Sequence, residues 1–109
     1  MHRDDGVFLR HMIDAIRKAI SLTEDRARED LEKNEMLALS LVRLLEILGE
    51  AANNVSEGFR REHPGIPWGN MVGIRNRLIH GYFDVDLDIV WDTVRKDLPP
   101  LLKDLEKLV

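Results

Sequence analysis

Apolar side chains recur every three or four positions along most of the chain, which is the spacing of a helix with one buried face. From about Asp4 to Ser21 this repeat predicts a first helix, with Lys and Arg on the opposite side. The stretch 23–34 is highly charged and has few apolar positions. It predicts a short surface helix or a loop, because little apolar area is available there to hold a helix in place.

From Glu35 the pattern changes, because apolar residues then cover far more than one face of a helix. The sequence predicts a long central helix that could reach Phe59 and that other elements contact from several sides. Gly49, Ala51 and Ala52 are small enough to let another helix approach closely near its middle. The excess apolar surface could also form an interface between subunits.

The segment from His63 to Pro67 contains two prolines around a glycine, which predicts a tight connection. Pro67 suits the first position of a helix, where its missing N–H costs nothing. We expect that helix to end near His80 and Gly81, because glycine is a common helix terminator.

A last apolar repeat, with spacings of three and four, runs from Leu87 to Leu108 and predicts a final helix. Pro99 and Pro100 must kink or restart it, since neither residue can donate a backbone hydrogen bond. No stretch alternates with period two for long enough to predict a strand. The fold prediction is an all-α bundle of four to five helices with a kinked last helix, formed by one domain over residues 1–109.

Composition narrows the functional classes. With 44% hydrophobic and 33% charged residues, the chain reads as an ordinary globular protein. It has no cysteine, which excludes disulfides and thiol chemistry and fits a reducing cytoplasm. No apolar run reaches membrane-spanning length, and the first residues lack the apolar core of a signal peptide, so we expect a cytoplasmic protein without a membrane partner. The net charge of −4 predicts that any RNA contact is local.

The candidate chemistry lies between Trp68 and His80. On a helix that turns about 100° per residue, Arg75 falls in the middle of a broad apolar arc. That arc contains Trp68, Met71, Val72, Ile74, Leu78 and Ile79. A guanidinium is costly to bury without a partner, so we expect a carboxylate or a phosphate to meet Arg75. Asn76 and His80 share the neighbouring polar flank, and a fixed cation beside a titratable imidazole is suited to chemistry at a phosphodiester.

The spacing leaves the geometry of this site open, because five residues on one helix place Arg75 and His80 about 140° apart. Either the helix bends or ends at His80, or the arginine of one subunit lies beside the histidine of another across a two-fold axis. In the alternative without function, Arg75 pairs with Glu50, Asp84 or Asp86, and His80 caps the helix.

Other side chains give weaker signals. His2, His11 and His63 have no partner at metal-ligand spacing, so we expect no metal site. Trp68 and Trp91 fall in helical registers that favour the core or an interface over base stacking.

The residues from Arg75 to Tyr82 resemble the R-x4-H-x-Y motif of HepT toxins, which are members of the HEPN superfamily. The flanking stretches 44–52, 63–68, 82–91 and 97–100 are also similar to that family. The resemblance covers essentially the whole chain and is weakest over 23–34.

This resemblance implies an α-helical homodimer that cleaves RNA without a metal ion or other cofactor, in a cleft shared by the two subunits. Arg75 would hold the scissile phosphate, His80 would act as general acid or base, and Asn76 would orient the site or substrate. Cleavage through the ribose 2′-OH would leave a 2′,3′-cyclic phosphate and would spare DNA.

The resemblance also implies a partner, namely an antitoxin of the MNT-type nucleotidyltransferase class, in a type VII-like toxin–antitoxin system. The antitoxin would use its own MgATP to add AMP to Tyr82, and the modified toxin would be inactive. Two rival interpretations remain: a non-catalytic helical module that binds a nucleotide or the nucleotidyltransferase, and a purely structural bundle. The structural bundle predicts a carboxylate salt-bridged to Arg75, and His80 away from any cleft.

Overall fold

The computed structural model describes residues 4–81 and 84–109, which are mostly helical, and the all-α prediction is confirmed. The first half contains α1 (Asp5–Thr23), α2 (Asp30–Lys33), α3 (Glu35–Asn54) and α4 (Glu57–Glu62). The second half contains α5 (Trp68–Val72), α6 (Ile74–Leu78), β1 (Ile79–His80), β2 (Asp84–Val85), α7 (Leu87–Asp92), a π-helical segment (Thr93–Asp97) and α8 (Leu98–Glu106). Within the described ranges, no helix combines the length and the apolar character needed to cross a membrane.

Helix α3 is the central element, as its sequence predicts. It packs against α1 along most of its length and also contacts α2, α5, α6 and α7. Leu41, Leu45 and Leu48 on α3 are almost completely buried in the hydrophobic core. Helix α8 covers α1 from the other side, so the core lies between α3, α1 and the C-terminal helices.

The charged stretch 23–34 contains both of the predicted alternatives, a loop and the short helix α2. Leu31 fixes α2 to the core, and the Arg28 guanidinium donates hydrogen bonds to Glu32 and to Asp88 at the start of α7. These bonds, to Glu32 first and to Asp88 second, raise the pKa of Arg28 above its usual value. Arg28 therefore connects this stretch to the C-terminal half.

Helix α3 ends at Asn54 and does not continue towards Phe59, so that part of the prediction is wrong. The buried Asp5 carboxylate accepts hydrogen bonds from the Ser56 backbone N–H (2.8 Å) and the Ser56 hydroxyl (2.7 Å). The Ser56 oxygen in turn accepts the Phe59 N–H and caps α4. Asp5 thus holds Ser56 in extended backbone, which interrupts the helix.

Gly49 marks the closest approach between α3 and α5, which confirms the prediction of close helix packing near the middle of α3. A Cβ atom added to Gly49 would lie 2.7 Å from the Met71 carbonyl oxygen and 3.2 Å from Cγ2 of Ile74. The first distance is too short for a real contact, and the backbone of Met71 cannot move aside as a side chain could.

We therefore expect Gly49→Ala to destabilise the protein by about 2 kcal/mol, because overpacking costs of about 1–3 kcal/mol exceed the gain in helix propensity. Urea denaturation measures this difference. Gly58→Ala in α4 is the matched control, since nothing lies within 4 Å of the added Cβ. It should be neutral or stabilising by up to about 1 kcal/mol. Unchanged stability of Gly49→Ala would contradict the close approach.

The interruption predicted at Pro99 and Pro100 is present in the last helix as the π-helical segment directly before α8. The Leu98 N–H donates to the Thr93 carbonyl, five residues earlier, which widens this turn. In an α-helix the two proline nitrogens would face the carbonyls of Arg95 and Lys96, and neither can donate to them. The wide turn and the prolines therefore occur together.

Candidate active site around Arg75 and His80

The segment before the motif is two short helices and not the single helix that was predicted from Pro67 to His80. Helix α5 ends at Gly73, whose φ of −87° and ψ of 5° lie outside the α region, and α6 ends at Leu78. His80 is in extended backbone and pairs with Asp84 across the antiparallel β1–β2 ladder. Gly81 follows with a φ of 76°, a left-handed conformation that favours glycine. Gly81 therefore turns the chain out of β1 and does not terminate a helix.

The predicted burial of Arg75 in an apolar arc is wrong. Its side chain is 66% exposed, whereas Ile74 and Leu78 on the same helix are buried. The buried residues Met71, Ile74 and Leu78 form a narrower stripe than the predicted arc, and Arg75 lies outside that stripe. Arg75 therefore lies at the surface of α6, where a ligand can reach it.

A carboxylate meets Arg75, as predicted, but it belongs to Glu46 and not to Glu50, Asp84 or Asp86. Arg75 Nε donates to Glu46 Oε2 at 3.1 Å, and the Glu46 side chain is only 22% exposed. The two terminal nitrogens of Arg75 make no hydrogen bond with the described residues.

Arg75 and Glu46 line a shallow cleft of about 160 Å³ between α3 and the α5–α6 region. The other lining residues are Gly49, Glu50, Asn53, Val72 and Ile74. Glu50 lies 3.6 Å from the Arg43 guanidinium, so its carboxylate is turned towards Arg43 on the same helix, α3. The cleft combines one exposed cation with two carboxylates, and only the Glu46 carboxylate contacts that cation.

His80 lies at the surface of β1, with a side chain that is 60% exposed. Its Nε2 is 3.9 Å from Asp86 Oδ2, which is within ion-pair range but too long for a hydrogen bond. Asp86 Oδ1 accepts the Ile89 N–H and caps α7. The predicted alternative of His80 as a helix cap is wrong, because α6 ends two residues earlier.

Within one chain Arg75 and His80 face different elements. Arg75 is directed towards α3 and His80 towards the start of α7, and no hydrogen bond between described residues joins the two. Asn76 is exposed beside Arg75 and makes no side-chain hydrogen bond within the described ranges. Tyr82, the predicted modification site, lies outside the described residues.

The remaining candidates behave as structural residues. Trp68 is buried, donates from Nε1 to the His63 carbonyl at 3.0 Å, and packs edge-on against Phe59. The His63 ring contacts Phe59 at a centroid distance of 4.4 Å. Trp91 is half-buried against the core, so the prediction of a packing role for both tryptophans is confirmed. Among the described residues, no three histidine or acidic side chains are grouped closely enough to hold a metal ion.

Sequence reasoning missed Glu46, although a signal for it exists in α3. Gly49 predicts the point where another helix comes closest, and Glu46 lies three residues earlier, about one turn away on α3. An acidic residue one turn from a close helix contact is well placed to meet a cation on the neighbouring helix. The identity of that cation depends on the break at Gly73.

The fold and the site together define a small all-α domain of the HEPN class, in which an exposed arginine precedes an exposed histidine by five residues. The family model described as "Ribonuclease HepT-like" matches residues 12–108. The chain therefore belongs to the HepT-like ribonuclease family.

Relatives from archaea and bacteria match the chain over almost its whole length. It is 38% identical to the "Probable ribonuclease HepT" of Thermococcus cleftensis, over 99% of this chain and 98% of that protein. It is 36% identical to the "Putative RNase MJ1380" of Methanocaldococcus jannaschii, over 95% of each chain. It is 35% identical to the "Putative RNase TTE0752" of Caldanaerobacter subterraneus subsp. tengcongensis, over 94% and 91%. No solved structure matches the chain.

Proposed function

We propose that this protein is an endoribonuclease that cleaves RNA by attack of the ribose 2′-OH and needs no metal ion, and that it is the toxin of a cytoplasmic toxin–antitoxin pair. The observation that carries the proposal is the state of Arg75. Its Nε donates to Glu46, while its terminal nitrogens make no hydrogen bond with any residue that the structure describes, and His80 follows one helical turn and a strand later. Membership of the HepT-like family supports the same activity.

Each residue has one role in the proposed reaction. Arg75 binds the scissile phosphate and neutralises the charge that develops on its oxygens. His80 takes the proton from the 2′-OH or supplies one to the leaving 5′-oxygen, which its exposure permits. The 2′-oxygen bonds to phosphorus as the 5′-oxygen leaves, giving a 2′,3′-cyclic phosphate. Asn76, exposed beside Arg75, orients the ribose or phosphate. DNA has no 2′-OH and is not a substrate.

The test of this proposal uses protein that intact mass shows to be unmodified, incubated with RNA in excess EDTA. We expect cleavage of RNA and no cleavage of DNA of the same sequence. Persistent inactivity of the unmodified protein would contradict the proposal. Tight binding to a nucleotidyltransferase together with such inactivity would favour a non-catalytic helical binding module instead.

We also propose that the protein acts as a homodimer with a cleft shared by both subunits. Met36 and Leu39 on α3 are 80% and 55% exposed, and Leu22 on α1 lies beside Leu39 on the same groove. On the α3 helix Leu39 and Glu46 are seven residues apart and therefore share one face. The exposed apolar side chains thus lie on the face of α3 that also carries Glu46, which supports a subunit contact through this face.

A subunit-exchange experiment tests the shared cleft. Arg75→Ala and His80→Ala dimers should each be inactive, but mixing them should restore activity if Arg75 of one subunit works with His80 of the other. Random exchange in an equal mixture gives about half mixed dimers with one intact site of two, so about a quarter of wild-type activity is expected. No recovery after verified exchange would place each pair within one subunit.

We further propose that an MNT-type nucleotidyltransferase is the antitoxin and that it transfers AMP from its own MgATP to Tyr82. The resemblance of the motif to R-x4-H-x-Y supports this assignment. An AMP group on Tyr82 would bring a bulky anion within reach of Arg75 and would compete with RNA for its guanidinium.

Co-expression with an MNT-type nucleotidyltransferase tests the modification. The intact mass of the wild-type chain should rise by whole AMP units, and the mass of Tyr82→Phe should stay unchanged, because the acceptor oxygen is missing. Mass spectrometry of both purified proteins provides the measurement. An equal rise in the variant would exclude Tyr82 as the acceptor.

A further inference from the structure

The contact between Glu46 and Arg75 joins a mostly buried anion to a mostly exposed cation. Glu46 is 22% exposed and belongs to the central helix, whereas Arg75 is 66% exposed on a five-residue helix. An arginine with this exposure would otherwise sample many rotamers, and holding it in one conformation costs entropy each time a ligand binds. A fixed carboxylate at 3.1 Å from Nε limits that freedom before the ligand arrives.

The Arg75 nitrogen that contacts Glu46 determines which N–H groups remain available to a ligand. A guanidinium has five N–H groups in a planar fork, and the Nε–H lies on the side of the fork that faces the side-chain stem. With Nε occupied by Glu46, four N–H groups on the terminal nitrogens make no hydrogen bond with the described residues. These groups have the geometry that binds two oxygens of one phosphate.

We infer that Glu46 is a positioning residue of the proposed ribonuclease site, which holds the Arg75 guanidinium at Nε so that its terminal nitrogens face the scissile phosphate. This inference rests on the proposed function and assigns a role to a residue outside the R-x4-H-x-Y motif. Glu46 touches neither substrate nor reacting atoms in this account. It acts only through Arg75.

The packing around Gly49 restricts the position of Glu46. Gly49 lies one turn from Glu46 on α3, and its Cα faces the Met71 carbonyl and the Ile74 side chain. Ile74 is the residue before Arg75. This close contact between α3 and the segment 71–74 therefore sets the position of Glu46 relative to Arg75. The hydrogen bond between Glu46 and Arg75 lies next to that contact.

In an alternative view, the only effect of the Glu46 carboxylate beside Arg75 is to repel RNA. A variant of Glu50 separates this repulsion from the positioning of Arg75. Glu50 lines the same cleft and carries the same charge, but its nearest cation is Arg43. Both carboxylates contribute to repulsion of a phosphate, whereas only Glu46 contacts Arg75. Glu50→Ala is therefore the matched control for Glu46→Ala.

Cleavage kinetics test the positioning role. We expect Glu46→Ala to lower kcat about tenfold, the effect of losing about one charge-assisted contact in the transition state, without raising KM. Glu50→Ala should leave kcat unchanged and lower KM slightly, because it removes one charge that repels the phosphate. In an Arg75→Lys background, which lacks Nε, Glu46→Ala should cause no further loss. A tenfold loss in that background as well, or an unchanged kcat in the single variant, would overturn the inference.

A measurement without RNA separates this inference from the proposed function. In proton–nitrogen spectra, the Arg75 Nε–H should give a signal with slow solvent exchange, assigned by its loss in Arg75→Lys. The signal should persist in Glu50→Ala and disappear or exchange rapidly in Glu46→Ala. Failure of the wild type to cleave RNA would refute the proposed function while this spectrum still tests the tether. Equal signals in Glu46→Ala and the wild type would refute the tether.

Discussion

Replacing His80 by alanine should reduce RNA cleavage by about 10²–10⁴-fold, the contribution that a positioned general acid or base makes. The loss should be in kcat, because in the proposed mechanism His80 moves a proton and does not provide the main charge that binds the phosphate. The side chain is 60% exposed, so we expect the fold to be unaffected. Single-turnover cleavage of a defined RNA in EDTA gives the rate constant.

His11→Ala is a suitable control for this variant. His11 is an exposed histidine on α1 whose ring lies edge-on to the Phe8 ring at a centroid distance of 6.3 Å. It should cleave RNA at the wild-type rate. A His80→Ala protein that is folded, matches the wild type in its oligomeric state and still cleaves normally would end the assignment of His80.

Replacing Arg75 by alanine should reduce cleavage by about 10²–10³-fold, because the charge on the phosphate oxygens is then no longer balanced in the transition state. Both kcat and RNA affinity should fall, since in the proposed mechanism the guanidinium binds the phosphate before and during the reaction. Arg75→Lys should recover only a small part of the activity. A lysine keeps the charge but has neither the Nε that Glu46 holds nor the fork that grips two oxygens.

Arg61→Lys provides the matched control for the lysine variant. Arg61 is exposed on α4 and pairs with Glu57 at 3.2 Å, and it has no role in the proposed site or subunit contact. It should retain wild-type cleavage. Full activity of Arg75→Lys would mean that a point charge suffices, and the geometric role of the guanidinium would be refuted.

The helical elements could be predicted from sequence because they depend on local periodicity. The one-sided repeat of α1 and the many-sided apolar pattern of α3 both correspond to the observed burial. The interruption before Pro99 follows from the missing proline N–H groups alone. These features need only neighbouring residues, so a single sequence contains them.

The helix ends could not be predicted in the same way, because contacts distant in sequence determine them. Asp5 ends α3 by binding Ser56, which is 51 residues away. At Gly73 the competing outcomes, a continuous helix or a break, differ by about 1 kcal/mol in local propensity, and packing decides between them. The buried stripe is also narrower than the predicted arc, so Arg75 lies at the surface.

The sequence named candidate residues for the site but did not give their contacts. The motif identifies Arg75 and His80 as candidates, and the cost of an unpaired guanidinium predicts an acidic neighbour for Arg75. That neighbour is Glu46, 29 residues earlier, while the suggested Asp86 faces His80 instead. Such pairings depend on how α3 and α6 pack, which residue spacing within one helix does not contain.

The local charge around Arg75 also bears on how a chain with a net negative charge would bind RNA. The chain has a net charge of −4, which predicts that RNA contact is local. In the proposed site, Arg75 would provide a directed contact, with the acidic Glu46 beside it. Such a site should bind RNA weakly and depend on the reaction geometry for its effect, which is consistent with roles expressed mainly in kcat.

The most direct test of the central claim is the cleavage of a DNA strand that contains one ribonucleotide, in excess EDTA, followed by mass analysis of the product ends. The account predicts a single cut on the 3′ side of the ribonucleotide, a 2′,3′-cyclic phosphate on one fragment and a 5′-hydroxyl on the other. A 2′-O-methyl group at that position should block the cut. Cleavage of the blocked strand, or products with a 5′-phosphate, would contradict the claim that Arg75 and His80 act through the ribose 2′-OH.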